Sequence, residues 1–132
     1  MLRPRPSFVK CAMIVDDDKS VRLALRRFLE LRGWVVLEAE SGEMALELLV
    51  ADAVQVDAVL VDLGLPGLSG GELCGRIKTL RPALLGRLIL VSGDTVAAAR
   101  ALEREQLACP FLSKPFELDD LEQLLDVIVS AA

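Results

Sequence analysis

Met13-Ile14-Val15-Asp16-Asp17-Asp18 is a short aliphatic run that stops on three consecutive carboxylates. The same design recurs three times further along. Val59-Leu60-Val61 ends on Asp62, Leu88-Ile89-Leu90-Val91 ends on Ser92, and Phe111-Leu112 leads into Ser113, Lys114 and Pro115. Short blocks of Val, Ile and Leu bounded by polar residues read as strands buried on both faces, the pattern of a parallel sheet. In open parallel sheets, ligands sit just beyond the carboxyl ends of the strands. Three carboxylates, a hydroxyl and an amine are therefore expected to meet along one edge.

Between these blocks the apolar spacing becomes helical. Residues 19–32 place Val21, Ala24, Leu25, Phe28 and Leu29 on one face, with Asp18 as N-cap and Gly33 as stop. A second strand is expected over 34–37. A second helix follows, from Ser41-Gly42-Glu43 to about Ala51, burying Ala45, Leu48 and Leu49. The glycine- and proline-punctuated stretch 64–71 reads as a loop beside Asp62. A third helix carries Leu73, Ile77 and Leu80 and ends at Arg81-Pro82. After a fourth strand over 87–92, residues 95–106 read as a thinly anchored helix whose large apolar residues are Val96 and Leu102. Residues 110–112 form a short edge strand, since proline cannot donate to a ladder. The last helix, 116–130, turns Leu118, Leu121, Leu125 and Ile128 inward and carries Glu117, Asp119 and Asp120 in its first turn, where the dipole favours acids. Five βα units in succession predict an α/β fold: a parallel sheet covered by helices on both faces, joined by right-handed crossovers. Residues 10–132 are read as one domain and 1–9 as a flexible lead.

Composition narrows the function. The 132 residues are 53% apolar but include only four Phe, one Trp and no Tyr, so the core is aliphatic. A net charge of −5 disfavours non-specific nucleic-acid binding. Three widely spaced cysteines and no histidine argue against a zinc site, and the cysteines read as small buried residues in a reduced, cytoplasmic setting. The lack of histidine also excludes Ser-His and Cys-His nucleophile pairs and a phosphohistidine donor within this sequence. No stretch approaches the ~20 apolar residues of a membrane span.

The expected cluster has a definite chemistry. Asp16, Asp17 and Asp62, brought close together, would repel one another and raise some of their pKa values. A hard cation such as Mg²⁺ relieves this with oxygen ligands. Lys114 adds a mobile positive charge suited to phosphate and Ser92 a hydroxyl donor, an arrangement that assists phosphoryl transfer by positioning and neutralising charge. The carboxylate of Asp62 can serve as nucleophile. No G-x-x-x-x-G-K-[ST] loop is present to hold ATP, so the donor is another molecule.

These residues carry a resemblance. Val15-Asp16-Asp17, Val61-Asp62, the loop Leu65-Pro66-Gly67-Leu68-Ser69-Gly70, Val91-Ser92-Gly93 and Ser113-Lys114-Pro115-Phe116 together resemble a response-regulator receiver domain over residues 10–130. The successive gaps of 46, 30 and 22 residues, from Asp16 to Asp62, from Asp62 to Ser92 and from Ser92 to Lys114, fit that family. The resemblance implies a doubly wound, flavodoxin-like sheet in the order 2-1-3-4-5. It implies Asp62 as phosphoacceptor, with Mg²⁺ held by Asp17, Asp62 and the backbone carbonyl of Gly64, and by Asp16 through water. It implies Ser92 and Lys114 on the phosphoryl oxygens, a cis Lys114–Pro115 bond, and Ser92 with Phe111 as the switch pair. The implied partners are a sensor histidine kinase or phosphotransfer protein and a downstream protein. The latter would dock on the face of helix 95–106, strand 110–112 and helix 116–130. No enzymatic activity is implied beyond Mg²⁺-dependent phosphorylation and dephosphorylation of the chain itself. Three positions depart from the family's habit: Phe111 replaces the commoner tyrosine, Ser69 stands where an aspartate is frequent, and Gly64 presents no side chain over the acceptor. Two rival readings are a phosphohydrolase using Asp16 and Asp18 as nucleophile and acid, and a receiver-like docking domain that is never phosphorylated.

Overall fold

A computed structural model describes residues 9–51 and 55–130; apart from Val9, the expected flexible lead lies outside the described residues. Five parallel strands form one sheet in the order β2-β1-β3-β4-β5: β1 Cys11–Val15, β2 Val35–Ala39, β3 Ala58–Asp62, β4 Leu88–Ser92 and β5 Phe111–Ser113. This is the 2-1-3-4-5 doubly wound order. The three central strands are buried at every residue, whereas the outer two are partly exposed.

Strand alternation divides the core in two. Met13, Val15, Val59, Val61, Leu88 and Leu90 face one side, against α2 Gly42–Val50 and α3 Gly70–Leu80. Ala12, Ile14, Ala58, Leu60 and Ile89 face the other, where α1 Lys19–Glu30 supplies Leu25, Phe28 and Leu29, and α5 Leu118–Ser130 supplies Leu121, Leu125 and Ile128. Trp34 packs, half-buried, against this second core. All three cysteines are buried and unbridged. No described helix is long and apolar enough to cross a membrane.

The element ends differ from the sequence reading where packing overrides pattern. Gly33, at φ +87°, ends the α1 segment, and the Trp34 N–H donates to the Leu29 carbonyl, so β2 begins at Val35. The expected loop over 64–71 is shorter, because α3 starts at Gly70. Ser69 accepts from the Glu72 N–H while the Glu72 carboxylate accepts from the Ser69 N–H, a reciprocal cap that starts the helix early. A Cβ on Gly70 would lie 2.4 Å from the Asp62 carbonyl oxygen, so only glycine lets α3 approach β3 this closely. A 3-10 helix, Pro82–Arg87, fills the approach to β4, which begins at Leu88. Helix α4 runs Thr95–Arg104 and is anchored through Ala98 and Ala101, with Leu102 half-buried; Val96 is exposed. Strand β5 starts one residue later than expected, and α5 two residues later. Ala24, Leu80 and Leu118, expected inward, are exposed, and Leu48 is half-buried.

Candidate functional site

Register places the site. Val15 pairs with Val61, so Asp16 and Asp62 lie level at the ends of β1 and β3. Asp62 pairs with Val91, and Ser92 pairs with Ser113. Ser92 therefore comes one step beyond the acid pair, and Lys114 one step beyond Ser92. Four strand ends thus deliver four polar side chains to one edge.

Asp16 is buried and held at three atoms. Its N–H donates to the Ala39 carbonyl at 3.1 Å, its Oδ1 accepts from the Asp18 N–H at 2.9 Å, and its carbonyl accepts from Arg22 Nη1 at 2.7 Å. Asp62, also buried, accepts at Oδ1 from the Gly64 N–H at 3.0 Å. Its Oδ2 lies 3.4 Å from Lys114 Nζ, which also stands 3.7 Å from Asp16 Oδ2. Asp17 is exposed, and one carboxylate oxygen from each of Asp16, Asp17 and Asp62 lies within 4.8 Å of the others. The Lys114–Pro115 bond is cis.

Burial is the main cause that pushes the Asp16 carboxyl above its ordinary value; Asp62 and Asp17 add repulsion, while the Asp18 N–H and Lys114 oppose the rise. One ammonium against three carboxylates leaves the cluster negative. Its donors are hard oxygens with no imidazole or thiolate among them, a set suited to Mg²⁺ rather than to a soft metal. The thiols belong to the core: burial raises Cys109 to about 11 and pushes Cys74 higher still.

Ser92 is buried and turned into its own loop. Its Oγ donates to the Asp94 carbonyl and accepts from the Asp94 N–H, both at 3.0 Å. Asp94 in turn caps α4, its Oδ1 accepting from the N–H groups of Val96 and Ala97. Phe111 is 37% exposed on the edge strand, so it does not fill the core here. Asp18 caps α1 by accepting from the Ser20 and Val21 N–H groups and the Ser20 hydroxyl, contacts that hold its carboxyl below the ordinary value. It is thereby engaged with the first turn of α1. Ser69 caps α3.

Two residues at the site escaped the sequence reading: Arg22, on the Asp16 carbonyl, and Asp94, on the Ser92 hydroxyl. The second had a signal, since an acid just before a helical run is a cap. The first bonds a backbone oxygen, which leaves no mark on sequence.

The response regulator receiver domain family matches residues 12–126. Among curated proteins, the chain is 37% identical over 109 residues to the response regulator MprA of Mycolicibacterium vanbaalenii, covering 83% of this chain and 46% of that protein. It is also 37% identical over 107 residues to a cyclic di-GMP phosphodiesterase of Thermotoga maritima, covering 81% of this chain and 27% of that protein. The chain thus spans less than half the length of these relatives. A receiver domain protein from Clostridium thermocellum superposes with a TM-score of 0.82 at 24% identity, over 92% of this chain and 95% of its own. The Thermotoga maritima response regulator TrrA, solved in complex with Mg²⁺-BeF, superposes with a TM-score of 0.78 at 25% identity, over 90% of this chain and 98% of its own.

Proposed function

This chain belongs to the response regulator receiver family of two-component systems, and from that premise we propose that Asp62 takes a phosphoryl group from a phosphohistidine on a sensor kinase or phosphotransfer protein. One observation carries the reading: Lys114 Nζ stands 3.4 Å from Asp62 Oδ2, beside carboxylate oxygens of Asp16, Asp17 and Asp62 that lie within 4.8 Å of one another. An oxygen of Asp62 attacks the donor phosphorus. The new P–O bond replaces the P–N bond, and the imidazole leaves carrying the electron pair and takes up a proton. Lys114 holds a phosphoryl oxygen and neutralises part of the developing charge. Asp16, Asp17 and Asp62 would hold Mg²⁺, with the Gly64 carbonyl as a further oxygen donor. When bound, the ion would supply positive charge where the phosphoryl oxygens gather negative charge. With no side chain at Gly64, water reaches the acylphosphate over an open rim.

The response follows from partner exchange. Ser92 leaves Asp94 for a phosphoryl oxygen, Phe111 turns inward, and the face of α4, β5 and α5 repacks for a downstream protein. The chain performs no other catalysis in this reading, and acts on the cytoplasmic side, where sensor kinases hold their phosphohistidine.

Incubation with a small phosphodonor and Mg²⁺, followed by intact mass, tests the proposal. The expected result is a gain of one phosphoryl group that Asp62→Asn abolishes. Ser92→Ala is expected to take up the group yet lose the accompanying NMR shifts on α4 and β5. Absence of the gain in the parent protein would leave the receiver as a docking domain only.

A further inference from the structure

Arg22 is unusually well placed for a residue outside the acidic cluster. Its side chain is 11% exposed, low for an arginine, and its hydrogen bonds join the main chain of the cluster to a carboxylate on β2. Nη1 donates to the Asp16 carbonyl at 2.7 Å, and Nε donates to Glu38 Oε1, on β2, at 3.1 Å. The other oxygen of Glu38 accepts from Arg26 Nη1 at 2.6 Å, and Arg26 Nε continues to Glu30 at 3.2 Å. The two arginines, Arg26 foremost, hold the Glu38 carboxyl below its ordinary value.

The Asp16 carbonyl belongs to the peptide unit that joins Asp16 to Asp17. Fixing that oxygen fixes the plane from which Asp17 departs, and Asp17 is the exposed member of the three carboxylates. Asp16 itself is already secured by Ala39 and Asp18. Without Arg22, the Asp16 carbonyl would lose a charged hydrogen-bond partner, and the Asp18 N–H bond to Asp16 Oδ1 would be left to hold the peptide between the two acids.

We infer that Arg22 is a positioning residue for the cation site: braced by Glu38, it fixes the Asp16–Asp17 peptide and so holds the Asp17 carboxylate where it shares a cation with Asp16 and Asp62. The inference rests on reading the cluster as a Mg²⁺ site. Arg22 is not a phosphate clamp in this arrangement, because its guanidinium is committed to Glu38 and to the peptide oxygen. Nor is it a mere surface pair, because one of its bonds goes to backbone at the site.

Charge and position predict opposite signs, which makes the test decisive. Removing a positive charge beside a cation site would tighten Mg²⁺ binding; removing a brace weakens it. Calorimetric titration of the chain with Mg²⁺ is expected to show Arg22→Ala weakening binding about tenfold, the scale on which partners of metal ligands act. Glu38→Gln keeps Arg22 but loosens its anchor, and is expected to weaken binding about threefold, the worth of a partly exposed ion pair. The double variant is expected to match Arg22→Ala alone, and Arg22→Lys, which keeps the charge but cannot span both partners, to fall between parent and Arg22→Ala. Unfolding without Mg²⁺ is measured alongside, since a purely structural residue would change that and leave the affinity alone. If Arg22→Ala fails to fold, Glu38→Gln and Arg22→Lys decide. Equal or tighter Mg²⁺ binding in the variants, or additive effects in the double variant, overturns the inference. A parent protein that binds no Mg²⁺ overturns the cation-site reading itself, and this inference with it.

Discussion

Strands β1 and β3, which carry Asp16 and Asp62, are buried at all ten residues and packed by helices on both sides. Strand β5, which leads into Lys114, has three residues, none of them buried, and its neighbour α4 is anchored by two alanines. The acids therefore sit on a rigid bed, while the ammonium and Phe111 sit on the part of the sheet with the least apolar burial. Regions of that kind open at the lowest free energy. A site split in this way sets its acids on a firm support and its ammonium on a looser one.

The contrast is open to measurement. Leu60→Ala, in the middle of β3, is expected to lower stability by about 3–4 kcal/mol in urea unfolding, because the side chain is fully enclosed and its removal leaves a cavity that neighbours fill only in part. Phe111→Ala, on β5, is expected to lower it by less than about 1 kcal/mol. Similar losses at both positions would erase the distinction.

A smaller effect separates charge from packing within the rigid half. The folded-state pKa of Asp16 lies above the ordinary 3.8, so folding disfavours its ionised form. Its contribution to stability is complete below that ordinary value and is lost as pH rises through the raised one. Asp16→Asn is therefore expected to stabilise the metal-free protein at pH 7, with the gain fading as pH falls toward 3.8. Denaturation across a pH series checks this, and a gain that grew toward acid would contradict it.

The smallest effect concerns the loose half. Gln106 follows α4 at φ +53°, a conformation that disfavours residues with a Cβ. Gln106→Gly is expected to stabilise by about 0.5 kcal/mol, the strain relieved less the chain entropy glycine adds. No gain in urea unfolding would mean that the turn after α4 carries no such strain.

Sequence exposes this molecule unevenly, and for physical reasons. Strands β1 and β3 are legible to the residue, because a continuous aliphatic block cut by aspartate has no other solution between two helical layers. The four strand-end side chains are legible for the same reason, since register follows from the blocks. The edge strands slide by one or two residues, because a strand paired on one side has no block to mark its ends. Gly70 and Gly71 resemble a loop on paper yet start α3, because the Ser69–Glu72 cap begins the helix there and the space beside Asp62 admits nothing larger at Gly70. Val96 looks like an anchor for α4, but the close approach to α3 lets alanines take that part: a Cβ on Gly71 would come within 3.2 Å of Ala101. Arg22 stays hidden because its partners lie sixteen residues away and on the main chain.

The doubly bonded Ser92 hydroxyl has a last consequence. Letting go of Asp94 gives up two hydrogen bonds at once, about 2 kcal/mol at typical net values, a bias of roughly thirtyfold toward the arrangement seen here. In the proposed switch, a ligand that grips this hydroxyl feebly would be outcompeted by that pair of bonds. The same release would loosen the Asp94 turn from which α4 begins, so in that proposal the trigger and the first moving part would be one pair of bonds.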